Sequence, residues 1–573
     1  MGRSRRRANR DASRGAVVLT MTAVSNQEAA TESRSVRESE HTYGSNWILA
    51  RPAGAYACAA AFAVVTVALG WTQRYLHDEA VFTHDLARAF LRAPTSIFFY
   101  AKAKPVLLLL YAIPSALGYS AFVVAHNLVG AATILLCIAA ARRLGVRAPN
   151  VAGWLLCASL HFSIAASNGY PNSDGAFVLA LALYLYAADR RTAAALVFGI
   201  LPFARHELGA VTVVFGLWDF ARRRDPRFLL AMISLPVAYA LAGAVYQRDV
   251  LWMLHRFPLA GQLPEAIRMD RPLTAIASVR ALRHMLVENA PILGVFGLAA
   301  LVRRGPRFAP VQLSFAATYA FLAVGQVARF LHVDTSPRYY VAALPLLAIL
   351  AAVGVSSRRE SPDGADDDSW TWGIAVFIAL VCATDGRDGV VLAIVVAVAT
   401  AVRFGLPAAR IAPAILVVAS VGFVAPQFAR DGGVELRQHR GYHRIVAEMR
   451  ARGVAVAGTL FTDMVIARFD RHVPHGDVHL LMNDAMRLEI QQLLNPANGQ
   501  RDAVLAALAS IRFLYDVDGH AARRDAVYLL RDHPRMRLWR ERLEGAGATV
   551  VQLRGYVACH FPAPERAGDR VPP

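Results

Sequence analysis

Lysine is nearly absent from this 573-residue chain. Of its 61 basic residues only Lys102 and Lys104 are not arginine, and both lie in one stretch, YAKAKPV (100–106). Cysteine is also scarce. Cys58, Cys137, Cys157, Cys382 and Cys559 show neither a disulfide framework nor zinc-site spacing. Charged residues make up only 18% of the chain against 56% hydrophobic, and the mean hydropathy is +0.37. That balance excludes an ordinary soluble globular protein of this length. A glycine-rich phosphate loop is missing. So is an apolar segment directly behind the basic start MGRSRRRANRDASRG, which argues against a cleaved secretory leader.

What is present is a series of long apolar runs between about residues 54 and 427, the pattern of a polytopic helical membrane protein. The runs at 54–71, 119–141, 150–166, 175–188, 192–204, 208–221, 229–245, 291–303, 311–331, 338–356, 371–384, 388–403 and 411–427 predict about thirteen transmembrane helices. The net charge of +19 resides largely in arginine clusters between runs, such as Arg142-Arg143, Arg190-Arg191 and Arg222–Arg224. These clusters read as positive-inside topology signals and not as contacts to nucleic acid. Their alternation predicts a multi-pass plasma-membrane (inner-membrane) protein with a cytoplasmic N-terminus. The segment PVLLLLYAIPSALG (105–118) is short for a span, and counting it would break the alternation, so it is assigned as re-entrant or interfacial on the outer side. The expected organisation is a disordered basic tail over 1–50, a transmembrane domain over 51–428 and a soluble extracytoplasmic α/β domain over 429–573. In that last segment VAVAGTLFTD, IRFLYDV and TVVQLRGYVACHF look like strands, and helical stretches fall at about 484–494, 500–510 and 534–545.

This topology places the unusual polar residues on the outer face. They are HDEAVFTHDLARAF, with Asp78 and Glu79; Lys104; the tip SNGYPNSD, with Asp174; the tip ARHE, with Arg205, His206 and Glu207; the loop segment QRDVLWMLHRFP, with His255 and Arg256; and HVDTSPRYY, with Asp334 and Arg338. Ionisable groups at a membrane boundary are costly unless paired or functional. A sugar on a polyprenyl phosphate would present its reactive carbon at such an interface with its tail in lipid. Transfer needs a carboxylate to accept a hydroxyl proton and cations to stabilise the departing phosphate. Asp78 and Glu79 can supply the first; Lys104, Arg205 and Arg338 can supply the second.

In their order these motifs resemble the polytopic class C glycosyltransferases, which include the protein O-mannosyltransferases and the lipid A aminoarabinose transferases. The acidic pair Asp78-Glu79 is followed by Lys104-Pro105 opening a short apolar segment. Next come a span ending ARRLGV, an outer tip with Asp174, the hairpin tip ARHE and the helix start SPRYYVAALPLLAIL (336–350). The match covers about residues 54–356. Val106 stands where the family pattern has a second proline, and Arg-His-Glu replaces Lys-Gly or Arg-Pro-Glu at the hairpin tip.

The resemblance implies an inverting hexosyl- or pentosyltransferase that uses a polyprenyl-phosphate sugar and a glycan, lipid or protein acceptor. Asp78, with Glu79, would be catalytic. Lys104, Arg205, Glu207, Asp174 and Arg338 would bind substrate, and His255 and Arg256 beside Trp252 and Phe257 would contact donor or acceptor. The bland readings differ: a helix cap for Asp78 and Asp174, a salt bridge with Glu207 for Arg205, outer-leaflet anchoring for Arg338, and a water-facing position for Asp85. The pattern specifies no cofactor. No His/Asp/Glu cluster has metal-ligand spacing, and the pattern leaves room only for a divalent cation on Asp78 or Glu79. The rival reading is a transporter or flippase of lipid-linked glycans, which would be expected to show repeated halves and broken, charged mid-membrane spans.

Overall fold

The computed structural model describes residues 51–72, 78–256, 291–302, 306–327, 337–356, 439–455, 457–469, 473, 476–483, 490–514 and 521–562. The expected N-terminal tail, the three spans expected over 371–427, Asp334 and most of the loop 246–290 lie outside these residues.

The described N-terminal part is helical. Prolines open several helices, at Pro52, Pro94, Pro105, Pro171 and Pro291. A proline at the first helical position gives up an amide that has no partner there in any case. Among the described residues two helices are long and apolar enough to cross a membrane, Tyr119–Arg143 and Arg227–Gln247. The expected third span is broken. Asn150–Cys157 and Leu160–Ser167 meet at 72°, and the hydroxyl of Ser163 donates to the Cys157 carbonyl at 2.9 Å, satisfying a backbone acceptor released at the bend. Five further apolar helices among the described residues are shorter, including Pro105–Ala116 and Arg191–Ala204. The structure therefore supports a mostly helical membrane protein but not a count of thirteen spans.

Close approach between helices relies on small residues. A Cβ at Gly199 would lie 2.1 Å from the Met232 carbonyl oxygen, so Arg191–Ala204 and Arg227–Gln247 approach backbone to backbone there. Cys58 and Cys157 bring their Sγ atoms to 3.3 Å across two helices, a contact that their separation in sequence does not show.

The C-terminal part forms a six-stranded sheet in the order β3-β2-β1-β4-β6-β5. The strands are β1 Thr459–Thr462, β2 Asp477–Leu481, β3 Phe513–Leu514, β4 Ala526–Arg531, β5 Thr549–Leu553 and β6 Tyr556–His560. The first four in spatial order are parallel, and β6 and β5 join as an antiparallel hairpin turned at Gly555, whose φ is +74°. Side chains alternate between its faces. Leu460 and Leu480 join the large core shared with the membrane helices, whereas Phe461 and Tyr528 pack with Trp539 on the opposite face. The expected strands are present, and β2 and β4 are additional.

Candidate functional site

The stretch expected as the first outer loop carries an amphipathic helix, Asp78–Phe90, starting where the acidic pair suggests one. Phe82, Leu86 and Ala89 lie on its buried face. That apolar stripe seats the helix against the bundle and leaves its N-terminal end beside three other elements. The backbone places Asp78 at the first position, and its side chain lies outside the described set.

The adjacent residue, Glu79, is the centre of an ion-pair cluster. Its Oε1 accepts from Lys104 Nζ at 3.1 Å and from Arg205 Nη1 at 3.0 Å, and its Oε2 lies 3.5 Å from Arg338 Nη1. Arg205 also donates its Nε to Glu207 at 2.7 Å. The guanidinium groups of Arg205 and Arg338 lie 5.5 and 5.2 Å from the centroid of the Tyr339 ring, within range of a cation–π attraction. Among the described side chains of this cluster, three cations face two carboxylates, so the site carries an excess of positive charge.

Local geometry explains why Lys104 can take part. It caps the helix Pro105–Ala116 with φ −108° and ψ 92°, the extended backbone that a following proline favours. Its ammonium thereby turns back from the apolar helix toward Glu79. Along that helix Leu109 and Ile113 are exposed, and Leu117 continues the same face, so an apolar surface starts one turn beyond the lysine.

The electrostatics follow from these contacts. Burial alone would raise the Glu79 pKa, but the charges of Lys104, Arg205 and Arg338 overcome it and hold the carboxyl far below the usual range. Burial lowers the Lys104 ammonium to about 8, with Glu79 opposing the shift. His206 is brought down to about 4, first by burial, with Lys104, Arg205 and Lys102 adding to it against Glu207. It is neutral at physiological pH.

The remaining expected residues lie elsewhere. Asp174 is 0% exposed. It does not cap its helix, because Tyr170 occupies that position. Its carboxylate instead accepts from the Tyr111 hydroxyl and pairs with His126 Nε2 at 2.9 Å, and Ser173 Oγ lies 3.3 Å from His126 Nδ1. It is a neighbour of the cluster through Gly175, where a Cβ would meet Arg205 Cγ at 2.7 Å. His255 is 59% exposed and pairs with Asp249. Arg256 donates to the carbonyls of Gln492 and Leu494 in the C-terminal part. Neither is brought to Glu79, because the short helix Trp252–Arg256 folds back with Trp252 over Gly243. Asp85 does not face water. It is 0% exposed and is covered by Arg468 of the C-terminal part. Tyr339 and His126 were not expected at all, although a histidine inside an apolar run was itself a signal. Among the described residues no group of three or more metal-ligating side chains is placed to hold an ion.

No protein-family model and no curated protein sequence matches the chain. Its fold has solved counterparts. The crystal structure of ArnT from Cupriavidus metallidurans bound to undecaprenyl phosphate is 16% identical, with a TM-score of 0.51 over 89% of this chain and 100% of that one. The same protein in the apo state is 16% identical, with a TM-score of 0.50 over 88% and 98%. The chain thus has the fold of a lipid A aminoarabinose transferase, in keeping with the class C glycosyltransferase resemblance of its motifs.

Proposed function

We propose that this protein is a membrane glycosyltransferase that moves a sugar from a polyprenyl-phosphate donor to an acceptor hydroxyl at the outer face of the membrane. The observation that carries the reading is the convergence of Lys104, Arg205 and Arg338 on Glu79, one turn from an exposed apolar helix face. Such an arrangement suits a phosphate with a lipid tail. Undecaprenyl phosphate is the molecule bound in one of the ArnT structures.

In this reading Asp78 takes the proton of the acceptor hydroxyl as its oxygen attacks the anomeric carbon. The bond from that carbon to the phosphate oxygen breaks, and its electron pair leaves with the phosphate, which the three cations stabilise. In-line displacement inverts the anomeric centre. Glu79 has a different role from Asp78. A carboxylate held so strongly ionised is a weak base, so Glu79 keeps the cations in position until a phosphate shares them. Those same cations supply the charge that a divalent ion on Glu79 would bring. His206, neutral beside them, adds polarity without repelling Lys104.

The test is sugar release or transfer by the purified protein from a panel of polyprenyl-phosphate sugars, run beside Asp78→Asn. Turnover by the wild type is expected, with a loss of about 10²–10⁴-fold in the variant. Intact donor carried across a vesicle bilayer with no sugar released would instead establish the transporter reading.

A further inference from the structure

The C-terminal part grips the first outer loop at two places that the proposed chemistry does not use. The first is Asp85. Its Oδ1 pairs with His84 Nδ1 at 3.0 Å, and its Oδ2 accepts from Arg468 Nη1 at 2.7 Å. Arg468 lies on the helix Val465–Phe469, which follows β1, and its Nη2 donates to the Ile511 carbonyl at 2.6 Å. The Phe82 ring lies 5.9 Å from that of Phe513 in β3. The second is Gln500, which is fully buried at the start of the helix Gln500–Ala509. Its Nε2 donates to the carbonyls of Ser96 and Phe99 at 3.1 and 3.2 Å, and its Oε1 accepts from Gln247 Nε2 at 3.1 Å. Gln247 Nε2 also reaches the Phe99 carbonyl at 2.9 Å, and Asn498 Nδ2 reaches that of Tyr246 at 2.8 Å.

These contacts lie between the two residues that the loop gives to the cluster, Glu79 and Lys104. Asp85 stands six residues beyond Glu79, about 9 Å along the helix. Phe99 precedes Lys104 by five residues. A helix of 13 residues gains little from its own hydrogen bonds, so its position depends on what it packs against. A fully buried carboxylate such as Asp85 is costly without its cation, which makes the Arg468 contact hard to release.

We propose that the C-terminal domain sets the position of the first outer loop against the Glu79 cluster, with Arg468 as a positioning residue acting through Asp85. Its effect on rate rests on the proposed transferase reading; its effect on the loop does not.

The experiment compares hydrogen exchange over residues 78–104 of the full chain in wild type, Arg468→Ala, Arg468→Lys and Gln500→Ala, together with kcat, KM and undecaprenyl phosphate affinity. In Arg468→Ala, exchange over 78–90 should rise about tenfold or more while Pro171–Ala187 and the sheet are unchanged. kcat should fall about tenfold or more, with lipid-phosphate affinity changed less than about threefold. Arg468→Lys, which keeps a cation for Asp85, should recover most of both. Should Arg468→Ala not fold, Gln500→Ala decides, with faster exchange expected over 94–104. Exchange over 78–104 equal to wild type in the folded variants overturns the proposal, as does an equal rise across the sheet. A loop that loosens as described in a protein that transfers no sugar would overturn the transferase reading and leave the positioning role standing.

Discussion

Lys104 is one of two lysines in a chain that otherwise uses arginine, and its ammonium meets a carboxylate that two arginines also approach. An arginine there would place a third planar fork around Glu79, where a compact point charge fits. Lys104→Arg should therefore lower kcat/KM, and Lys104→Ala should lower it by about 10²–10³-fold, the range typical of losing a donor to a developing oxyanion. The pH profile gives a second check. The Lys104 pKa is depressed to about 8 by burial, so its charge is present below that pH and lost above it. The kcat/KM profile of the free enzyme should fall as pH rises through about 8. Because Glu79 opposes the depression, Glu79→Gln should move that limb to lower pH. The same variant removes a competitor for the cations. It should bind undecaprenyl phosphate at least as tightly as wild type while turning over more slowly; weaker binding would mean that Glu79 does not share these cations with the phosphate. The residue types at this site were legible in the sequence, since Glu79, Lys104, Arg205, Glu207 and Arg338 all stood out as charges beside apolar runs. Their division of labour was not, because only the fold shows that Glu79 is surrounded by cations.

At the scale of the elements, Asp174 illustrates a position that stood out in sequence as a substrate-binding candidate, with a helix cap as its bland alternative; the cap is not what the fold shows. It is buried between Tyr111 and His126, on helices that sequence separates by many residues. Asp174→Asn keeps the shape and removes the charge from this network, at a cost of about 1–3 kcal/mol read as a lower apparent Tm in detergent. Helix contact offers a paired test. Gly199→Ala would drive a methyl into the Met232 carbonyl and should destabilise by about 1–3 kcal/mol, whereas Gly209→Ala meets nothing nearer than 3.7 Å and should change stability by less than about 0.5 kcal/mol. The apolar runs announced most described helices because hydropathy alone marks them. The bend at Cys157 was hidden, because 150–166 contains no proline and the Ser163 hydroxyl that satisfies the bend looks ordinary in sequence.

For the whole molecule, the class of architecture followed from composition and motif order, and the ArnT likeness agrees with it over most of the chain. The C-terminal sheet was read only in part. The hairpin β5–β6 and β1 were visible as apolar runs beside turn residues. β4, a central strand, was missed because AVYLLR is a short run that could equally belong to a helix. The surroundings of Asp85 and Arg256 were not legible for one reason: local pattern does not reveal which surfaces the C-terminal part covers. The most direct measurement of the central claim is equilibrium binding of undecaprenyl phosphate, and of the same lipid as a free alcohol, to wild type and to Lys104→Ala. A phosphate site at Glu79 predicts that wild type prefers the phosphate by at least about tenfold and that the preference shrinks in the variant, each tenfold being about 1.4 kcal/mol. Equal binding of the alcohol, or a preference unchanged by Lys104→Ala, would contradict it.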